Sequence, residues 1–350
     1  MGGCKLGISI MSNCLFNKKT FYLLIVCLMV FPAVCLGGGI ETQGERAYKY
    51  ILGYEVERDI DRALSIATSA LDQNDPFAKY CLLFIRSTED LEDVSAQGDF
   101  DTLTKDLLEL AAKGNLTALD MLGSMYYFGL GVQQDREKAK EFWLSAASKN
   151  YPPSQNHMGV LLRFHGEMAA QQDAIYWYSL AANAGYAPAQ DDLGYLYYTG
   201  TGVAKDVKLA YKWFKLASDQ NFPEAQYNLG LLIKDGKGEY GEPQDALLLF
   251  EKSSSGGFLP ATHSLAEMYF TGFGVTQNVT KATELILFAA ERGYHQSQNT
   301  LGLMYINGLG VDRDYQLAYS WFLKSAKQGN REAINNIEQM LAEDLVKEGP

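Results

Sequence analysis

Few side chains in this sequence are of the kind that carry out catalysis or bind metal ions, and they are scattered. The four histidines fall in separate parts of the chain: His157, His165, His263 and His295. A metal site needs three or four ligands that converge at fixed distances, and this spacing does not provide them. The sequence also lacks the motifs typical of zinc proteases, redox dithiols and serine hydrolases. It therefore predicts a protein that is not an enzyme and that carries no metal and no cofactor.

Paired glycines such as Gly129 and Gly131 could indicate a phosphate-binding loop. None of these pairs is followed by the Gly-Lys-Ser/Thr ending of such a loop, and no strand pattern precedes them. We therefore interpret the pairs as turns between helices, where glycine allows a positive φ.

Acidic residues cluster between positions 86 and 101. The cluster consists of Glu89, Asp90, Glu92, Asp93, Asp99 and Asp101. It lacks the spacing of a calcium-binding EF-hand loop. The pattern predicts a solvated insertion, and a recognition loop is the alternative.

Cysteine usage separates the start of the chain from its body. Four of the five cysteines lie in the first 35 residues, and only Cys81 lies beyond them. A disulfide framework within the body is therefore excluded, so packing must hold the fold. We interpret Cys81 as a partly buried thiol outside the deep core, because polar residues occupy its equivalent position in other repeats.

The first 37 residues have the pattern of a secretory signal peptide. Lys18 and Lys19 precede an uncharged stretch, residues 21–35, and small residues follow it. We expect cleavage between Cys35 and Gly38 and export to the periplasm or the medium. An uncleaved membrane anchor and lipidation at Cys35 are the alternatives. No second long apolar run is present, so the mature chain is predicted to have no transmembrane span.

Composition and charge narrow the class of partner. Apolar residues make up 47% of the 350 residues, and the net charge is -12. A chain this apolar can bury a large core. Its negative field repels phosphate backbones, which argues against nucleic acid as the partner and would suit a basic protein, although many acidic surfaces serve only solubility.

A repeat of about 36 residues is the clearest pattern in the sequence. A small residue opens each unit at positions 118, 154, 189, 225, 261, 297 and 333. The first of these units contains Ala118, Leu122, Gly123, Tyr126, Gly129, Gly131, Val132, Asp135 and Trp143. The predicted organisation is two degenerate repeats with the acidic insertion in residues 38–117, six repeats in 118–332, and a C-terminal capping helix in 333–350. Together these give eight repeats and a final helix from Glu332 to Lys347.

The spacing within each unit predicts two helices of about 12 residues. Ala118 and Leu122 share one helical face, and Gly123 removes a side chain beside it. Glycine costs about 1 kcal/mol in a helix relative to alanine, so its recurrence indicates that two helices approach closely there. A single pair cannot bury its apolar face, but a stack of pairs makes that face continuous.

This pattern resembles the Sel1-like repeat family, which is related to TPR proteins. The resemblance covers almost the whole chain after residue 37. It implies an all-α fold, a right-handed α-solenoid of antiparallel helix pairs, and a role as adaptor or scaffold.

In helix-pair solenoids the first helices of successive repeats line a concave surface. The positions two, three and six residues after the opening small residue tolerate polar side chains, so they are predicted to bind the partner. These residues are Asp120, Asn156, His157, Asp191, Asp192, Tyr195, Tyr227, Asn228, His263, Glu267, Asn299 and Thr300.

The function predicted from these observations is an exported scaffold for protein–protein interaction, with a host or envelope protein as its partner. One alternative is a cell-envelope module that binds glycan or a wall-synthesis complex. Another is a eukaryotic lumenal adaptor in protein quality control. Glycans on the sequons at Asn115 and Asn278 would support that last alternative.

Overall fold

The computed structural model describes residues 42–44, 46–47, 60–70, 75–88, 96–165, 170–236 and 238–346. Within these ranges the regular structure is all helical, with no strand. The predicted signal peptide, residues 1–37, lies outside them. No helix in the described part of the chain combines the length and the apolar character needed to cross a membrane. The described residues divide into two compact units, the first ending at Ala225 and the second beginning at Gln226.

The helices of the first unit follow one another with short connections. They are α1 (Ile60–Ala70), α2 (Pro76–Thr88), α3 (Ala96–Ala112), α4 (Leu116–Phe128), α5 (Arg136–Ala147), α6 (Pro152–His165), α7 (Ala170–Asn183), α8 (Ala187–Thr199) and α9 (Val207–Ser218). The boundary between the units falls within α10 (Pro223–Asp235). The second unit continues with α11 (Pro243–Ser255), α12 (Leu259–Thr271), α13 (Val279–Glu291), α14 (His295–Asn307), α15 (Tyr315–Ala326) and α16 (Arg331–Ala342).

Each repeat is a helix pair that also packs on the next pair. In the first unit α4 packs on α5, α6 on α7 and α8 on α9, while α5 also contacts α6 and α7 also contacts α8. In the second unit α12 packs on α13 and α14 on α15, and α13 and α15 contact the helix that follows each of them. Within each unit the chain is therefore a stack of helix pairs, as the α-solenoid prediction requires.

An aromatic ring explains the glycine in the first helix of each pair. A Cβ placed on Gly194 would lie 2.8 Å from Phe214, and one on Gly159 would lie 2.8 Å from Tyr178. Both rings are fully or almost fully buried. The same relation recurs in other repeats as the pairs Gly123–Trp143, Gly230–Phe250 and Gly302–Phe322. The predicted close approach is confirmed, and the group that needs the space is the ring on the second helix.

The glycine pairs form the turns that the sequence predicts. Gly129 ends α4 with φ at 73° and donates its backbone N–H to the carbonyl of Met125. Gly131 also has a positive φ, and Asp135 then caps α5 by accepting a hydrogen bond from the backbone of Lys138. These bonds satisfy backbone groups that helix ends leave unpaired.

Glutamine side chains join one pair to the next. Gln155 and Gln190 donate hydrogen bonds to the carbonyls of Ala147 and Ala182, at 3.2 and 3.1 Å. In the second unit Gln298 makes the equivalent bond to Ala290 at 3.1 Å. Each bond adds a second donor to a carbonyl at the C-terminal end of a second helix, which also accepts from the backbone N–H three residues later.

The acidic insertion is shorter than the sequence predicts, because helix α3 already begins at Ala96. Residues 96–101 therefore form the first turns of a helix. The reason is an apolar face three and four residues apart, in which Phe100 packs on the core and Leu103 and Leu107 are fully buried. The rest of the predicted insertion after Thr88, residues 89–95, lies outside the described residues.

The C-terminal helix is also shorter than predicted, since α16 ends at Ala342. Asp344 adopts a φ of 54°, which turns the chain so that Val346 becomes buried against the last repeat. This valine occupies nearly the same place in the repeat as Val311, which follows the glycine turn of the preceding repeat. The final half-repeat thus covers the end of the core with one helix and one returning side chain.

Candidate functional site

Six of the twelve residues predicted to bind a partner are buried. They are Asp120, Asn156, His157, Asp191, Asp192 and Asn299. The other six are partly or fully exposed: Tyr195, Tyr227, Asn228, His263, Glu267 and Thr300. The expectation that the whole set faces an open groove is therefore wrong for half of it. Partner binding by the exposed half stays a prediction.

The buried polar residues pair with one another across neighbouring repeats. His157 Nδ1 lies 2.8 Å from a carboxylate oxygen of Asp120, and Asn156 hydrogen-bonds to Asp192. In the second unit Asn336 donates to Asn299 at 3.0 Å. Each bond joins the position two residues after the opening residue to the position three residues after it in the next repeat. Polar residues are tolerated at these positions because they have partners, and not because they face water.

Cys81 occupies the position three residues after the opening residue of its repeat, and its interpretation as a thiol outside the deep core is wrong. Its side chain is fully buried and lies 3.8 Å from the carbonyl oxygen of Gly44. Burial raises the pKa of the Cys81 thiol well above its ordinary value. Cys81 therefore belongs to the deep core and is chemically inert in the folded protein.

Asp120 is the centre of a buried polar network in the first unit. Its carboxylate accepts a hydrogen bond from Ser154 at 2.6 Å and contacts His157, whose ring packs 4.8 Å from Trp143. The indole N–H of Trp143 donates to the backbone carbonyl of Asp120 at 3.1 Å. All four side chains are buried. This network stabilises the stack and offers nothing to a partner.

Arg163 and Asp192 form a largely buried ion pair. Arg163 donates to Asp192 at 3.3 Å, and its guanidinium lies about 5 Å from the rings of Phe164 and Tyr195. Burial raises the pKa of Asp192 to about 6, although Arg163 and Asn156 both act to lower it. Burial therefore makes the ionised form of Asp192 less favourable in the folded protein than in water.

The first helices α10, α12 and α14 are more open, and we call a set of their partly or fully exposed residues the first-helix face. It comprises Tyr227, Asn228, Lys234, His263, Glu267, Thr300 and Leu303. Contacts between repeats make it continuous, since Tyr227 hydrogen-bonds to Ser264 and Lys234 pairs with Glu267 at 3.2 Å. Burial against its surroundings raises the pKa of Tyr227 to about 12, so this hydroxyl stays protonated.

His263 has neighbours that resemble a hydrolase triad in type. Its Nδ1 lies 2.9 Å from Ser297 Oγ, and its Nε2 lies 3.7 Å from Glu267. Ser297 is fully buried, so a substrate has no route to its hydroxyl. Burial lowers the pKa of His263, as it lowers that of the neighbouring His295. We interpret these bonds as structural. Among the described residues no three His, Cys, Asp or Glu side chains are grouped to hold a metal ion.

A polar cleft of about 410 Å³ lies between α3 and the turn before α5. Its walls include Asp101 from the end of the predicted acidic insertion, Tyr126, Gln134 and Lys138. Lys138 lies over the ring of Tyr126 and near Asp135, at 5.1 and 3.8 Å. The opposite charges of Lys138 and of Asp101 and Asp135 partly neutralise one another in this cleft.

A stack of helix-pair repeats of this kind defines an α-solenoid scaffold. The Sel1 repeat model matches residues 46–75, 117–151, 152–186, 187–222, 223–258, 259–294 and 295–330. These segments make up more than half of the chain, and the chain belongs to the Sel1 repeat family. The matched segments leave out residues 76–116, where the second degenerate repeat is predicted and where α2 packs on α3.

Known proteins share parts of this architecture. HRD3B of Arabidopsis thaliana, a component of an ERAD-associated E3 ubiquitin-protein ligase, is 28% identical over 183 residues, which are 50% of this chain and 29% of the plant protein. A Sel1 repeat protein from Oxalobacter formigenes is 28% identical with a TM-score of 0.61, and the alignment covers 67% of this chain and 96% of that one. The protective antigen c5321 of uropathogenic Escherichia coli is 24% identical with a TM-score of 0.54, over 88% of this chain and 72% of that one.

The family defines the general role of the chain. Sel1 repeat proteins generally mediate protein–protein interaction and are typically non-catalytic scaffolds. The match to HRD3B spans less than a third of the plant protein's length.

Proposed function

We propose that this chain is an exported scaffold that binds a protein partner through the first-helix face of α10, α12 and α14. The observation that carries the proposal is the difference between first helices. In α4 and α6 most of the described side chains are buried, whereas the first-helix face leaves Glu267 and Leu303 exposed and its other members, such as Tyr227, partly exposed. Tyrosine, with charged groups around it, is typical of protein-binding surfaces.

The residues of this face suit a partner of mixed polarity. Glu267 is half exposed, and Leu303 is 38% exposed on the next first helix. An apolar contact beside a charged pair lets a partner bury Leu303 while it replaces the water around Glu267. Because the fold does not use these two side chains as core, they can change without loss of structure.

Affinity capture tests the proposal. The full chain would be used as bait in extracts of its own envelope and of host cells, beside a bait carrying Glu267→Lys, Thr300→Lys and Leu303→Ser. A control bait would carry Glu284→Lys, an exposed change on the second helix α13. We expect one protein to be retained by the wild type and the control and lost from the triple variant. Equal retention by all three baits would contradict the proposal.

Export is the second part of the proposal, and it rests on the basic and apolar pattern of residues 1–37. Mass analysis of the protein purified from its native host tests it. We expect a chain that begins between Leu36 and Gly38. A chain that still contains residues 1–37 in the cytoplasmic fraction would contradict export.

A second candidate function is a lumenal adaptor in protein quality control, and the match to HRD3B favours it. The sequon residue Asn278 is exposed, and its side-chain oxygen caps α13 by accepting from the backbone of Lys281 at 2.9 Å. Its amide nitrogen remains available for a glycan. Occupied glycan at Asn278 in the native protein would support this candidate over a bacterial envelope scaffold.

A further inference from the structure

Helix α9 differs in charge from the rest of the molecule. Its 12 residues contain three lysines and no acid, in a chain whose net charge is -12. Lys208, Lys212 and Lys215 recur every three or four residues, so they lie on one side of the helix. Lys215 pairs with Asp219 at 2.9 Å. Lys208 and Lys212 are exposed, and neither forms an ion pair with any residue in the described ranges.

Folding does not account for these lysines. Lys208 is the second residue of α9, where a positive charge opposes the helix dipole at a cost of about 0.3–1 kcal/mol. The equivalent second residue of α5 is Glu137, which the dipole favours. Lys205, in the turn before α9, adds another exposed positive charge and lies 5.4 Å over the ring of Tyr198. The four lysines at positions 205–215 outnumber the two acids that flank α9, Asp206 and Asp219, so this surface is positive although the chain as a whole is negative.

An exposed apolar group lies beside these charges. Leu216, one helical turn after Lys212, is 48% exposed. We call the surface formed by Lys205, Lys208, Lys212 and Leu216 the lysine patch.

We propose that the lysine patch binds a short acidic segment of a second protein. Lys208 and Lys215 are seven residues apart on α9, a helical length of about 10 Å, which three or four residues of extended peptide can span. Glutamate and aspartate side chains would pair with Lys205, Lys208 and Lys212, and an apolar side chain of the segment would cover Leu216. The lysine patch lies on the second helix α9 and the turn before it, so it is distinct from the first-helix face. It gives the scaffold a second point of attachment.

The size of the patch favours a peptide over an extended polyanion. Charges on the surface act over about 8 Å at physiological ionic strength. A short segment therefore interacts mainly with the lysines beneath it. A nucleic acid duplex or an anionic membrane extends further and meets the acidic surface that gives the chain its net charge of -12.

Fluorescence anisotropy with a dye-labelled peptide of sequence Glu-Glu-Leu-Glu-Glu-Leu tests the proposal on the full chain. We expect binding that weakens as salt is raised, and a loss of roughly tenfold in Lys208→Gln/Lys212→Gln, because two exposed charge pairs are removed. The matched control is Lys252→Gln/Lys327→Gln, which removes the same charge at exposed positions elsewhere. It should bind the peptide as the wild type does.

Three outcomes would overturn the proposal. They are no binding by the wild type, an equal loss in the control variant, and tighter binding to phosphatidylserine vesicles or duplex DNA than to the peptide. Thermal unfolding of all variants at the same temperature would show that the changes act on binding alone. Since this test uses only the lysine patch, its failure leaves the first-helix face untouched.

Discussion

Gly302 and Phe322 fit together so closely that a Cβ placed on Gly302 would lie 2.5 Å from Cε1 of the ring. Phe322 is fully buried. One repeat earlier, alanine replaces the glycine as Ala266, and the smaller Ile286 replaces the ring in the same hydrophobic cluster. The size of one residue therefore follows the size of the other, and the two helices keep their separation.

This relation predicts the effect of filling the space. Gly302→Ala should destabilise the second unit by about 1–3 kcal/mol, because overpacking outweighs the gain of about 1 kcal/mol in helix propensity. The double variant Gly302→Ala/Phe322→Ile copies the preceding repeat and should recover most of the loss. Urea unfolding measures both. A double variant no more stable than the single one would show that the ring is not the cause.

Removal of the Asp120 carboxylate should destabilise the first unit. In Asp120→Ala the buried hydroxyl of Ser154 and the ring of His157 lose their shared acceptor, and each unsatisfied group costs about 1–3 kcal/mol. Glu267→Ala removes an exposed carboxylate from the second unit and should change stability by less than about 0.5 kcal/mol. Thermal unfolding compares the two. Equal effects would contradict the structural role of Asp120.

The raised pKa of Asp192 predicts a pH dependence in the acidic range. The folded chain takes up a proton as pH falls through about 6, while the unfolded chain does so only near pH 4, where an ordinary aspartate titrates. The folded state binds more protons in this window, so protonation of Asp192 adds to the free energy of unfolding as pH falls. Asp192→Asn lacks this contribution. The stability of the wild type relative to the variant should therefore rise between pH 6 and about pH 4.

Urea titrations of both proteins at several pH values measure that difference. A constant difference across the range would mean that Asp192 titrates as it does in the unfolded chain. Carboxylates other than Asp192 are common to both proteins, so they cancel in the comparison.

The histidines of the second unit predict a dependence of opposite sign. Burial lowers the pKa of His263, aided by Lys234, and burial together with His263 lowers the pKa of His295. Below about pH 6.5 the unfolded chain binds protons that the folded chain does not, so these histidines reduce stability as pH falls. His263→Gln should therefore lose less stability than the wild type between pH 7 and pH 5. Chemical denaturation at pH 7 and pH 5 measures the free energy of unfolding of both proteins. An equal loss of stability in the two would contradict the prediction.

The helical repeat was accessible from the sequence because it depends on features that recur. The period of about 36 residues, the glycine of the first helix and the Gly-x-Gly-Val turn each have one physical cause, and each is found where it was predicted. The aromatic partner of Gly194 could also have been found, since an aromatic residue follows the glycine by 20 residues in four of these five pairs and by 19 in the fifth.

The polar positions were harder, because polarity alone does not distinguish a side chain in water from one with a buried partner. Asp120 and His157 both looked like surface residues when each was compared with its equivalents. The signal lay in the pairing, in which a polar residue stands one repeat and one residue before its hydrogen-bond partner. The two partners lie at different positions of neighbouring repeats. An alignment of the repeats compares only equivalent positions, so it does not show this relation.

The same pairing fixes the order of the modules. Asp120 faces donors from the repeat that follows it, and Asn299 faces Asn336 from the next. If the repeats were shuffled, a carboxylate such as Asp120 could be placed opposite Asp192, with no donor and little water to separate the charges. Although the helices are nearly interchangeable in length and shape, the chemistry between them makes each repeat specific to its neighbour. A designer who wished to lengthen or permute this protein would have to transplant repeats in adjoining pairs.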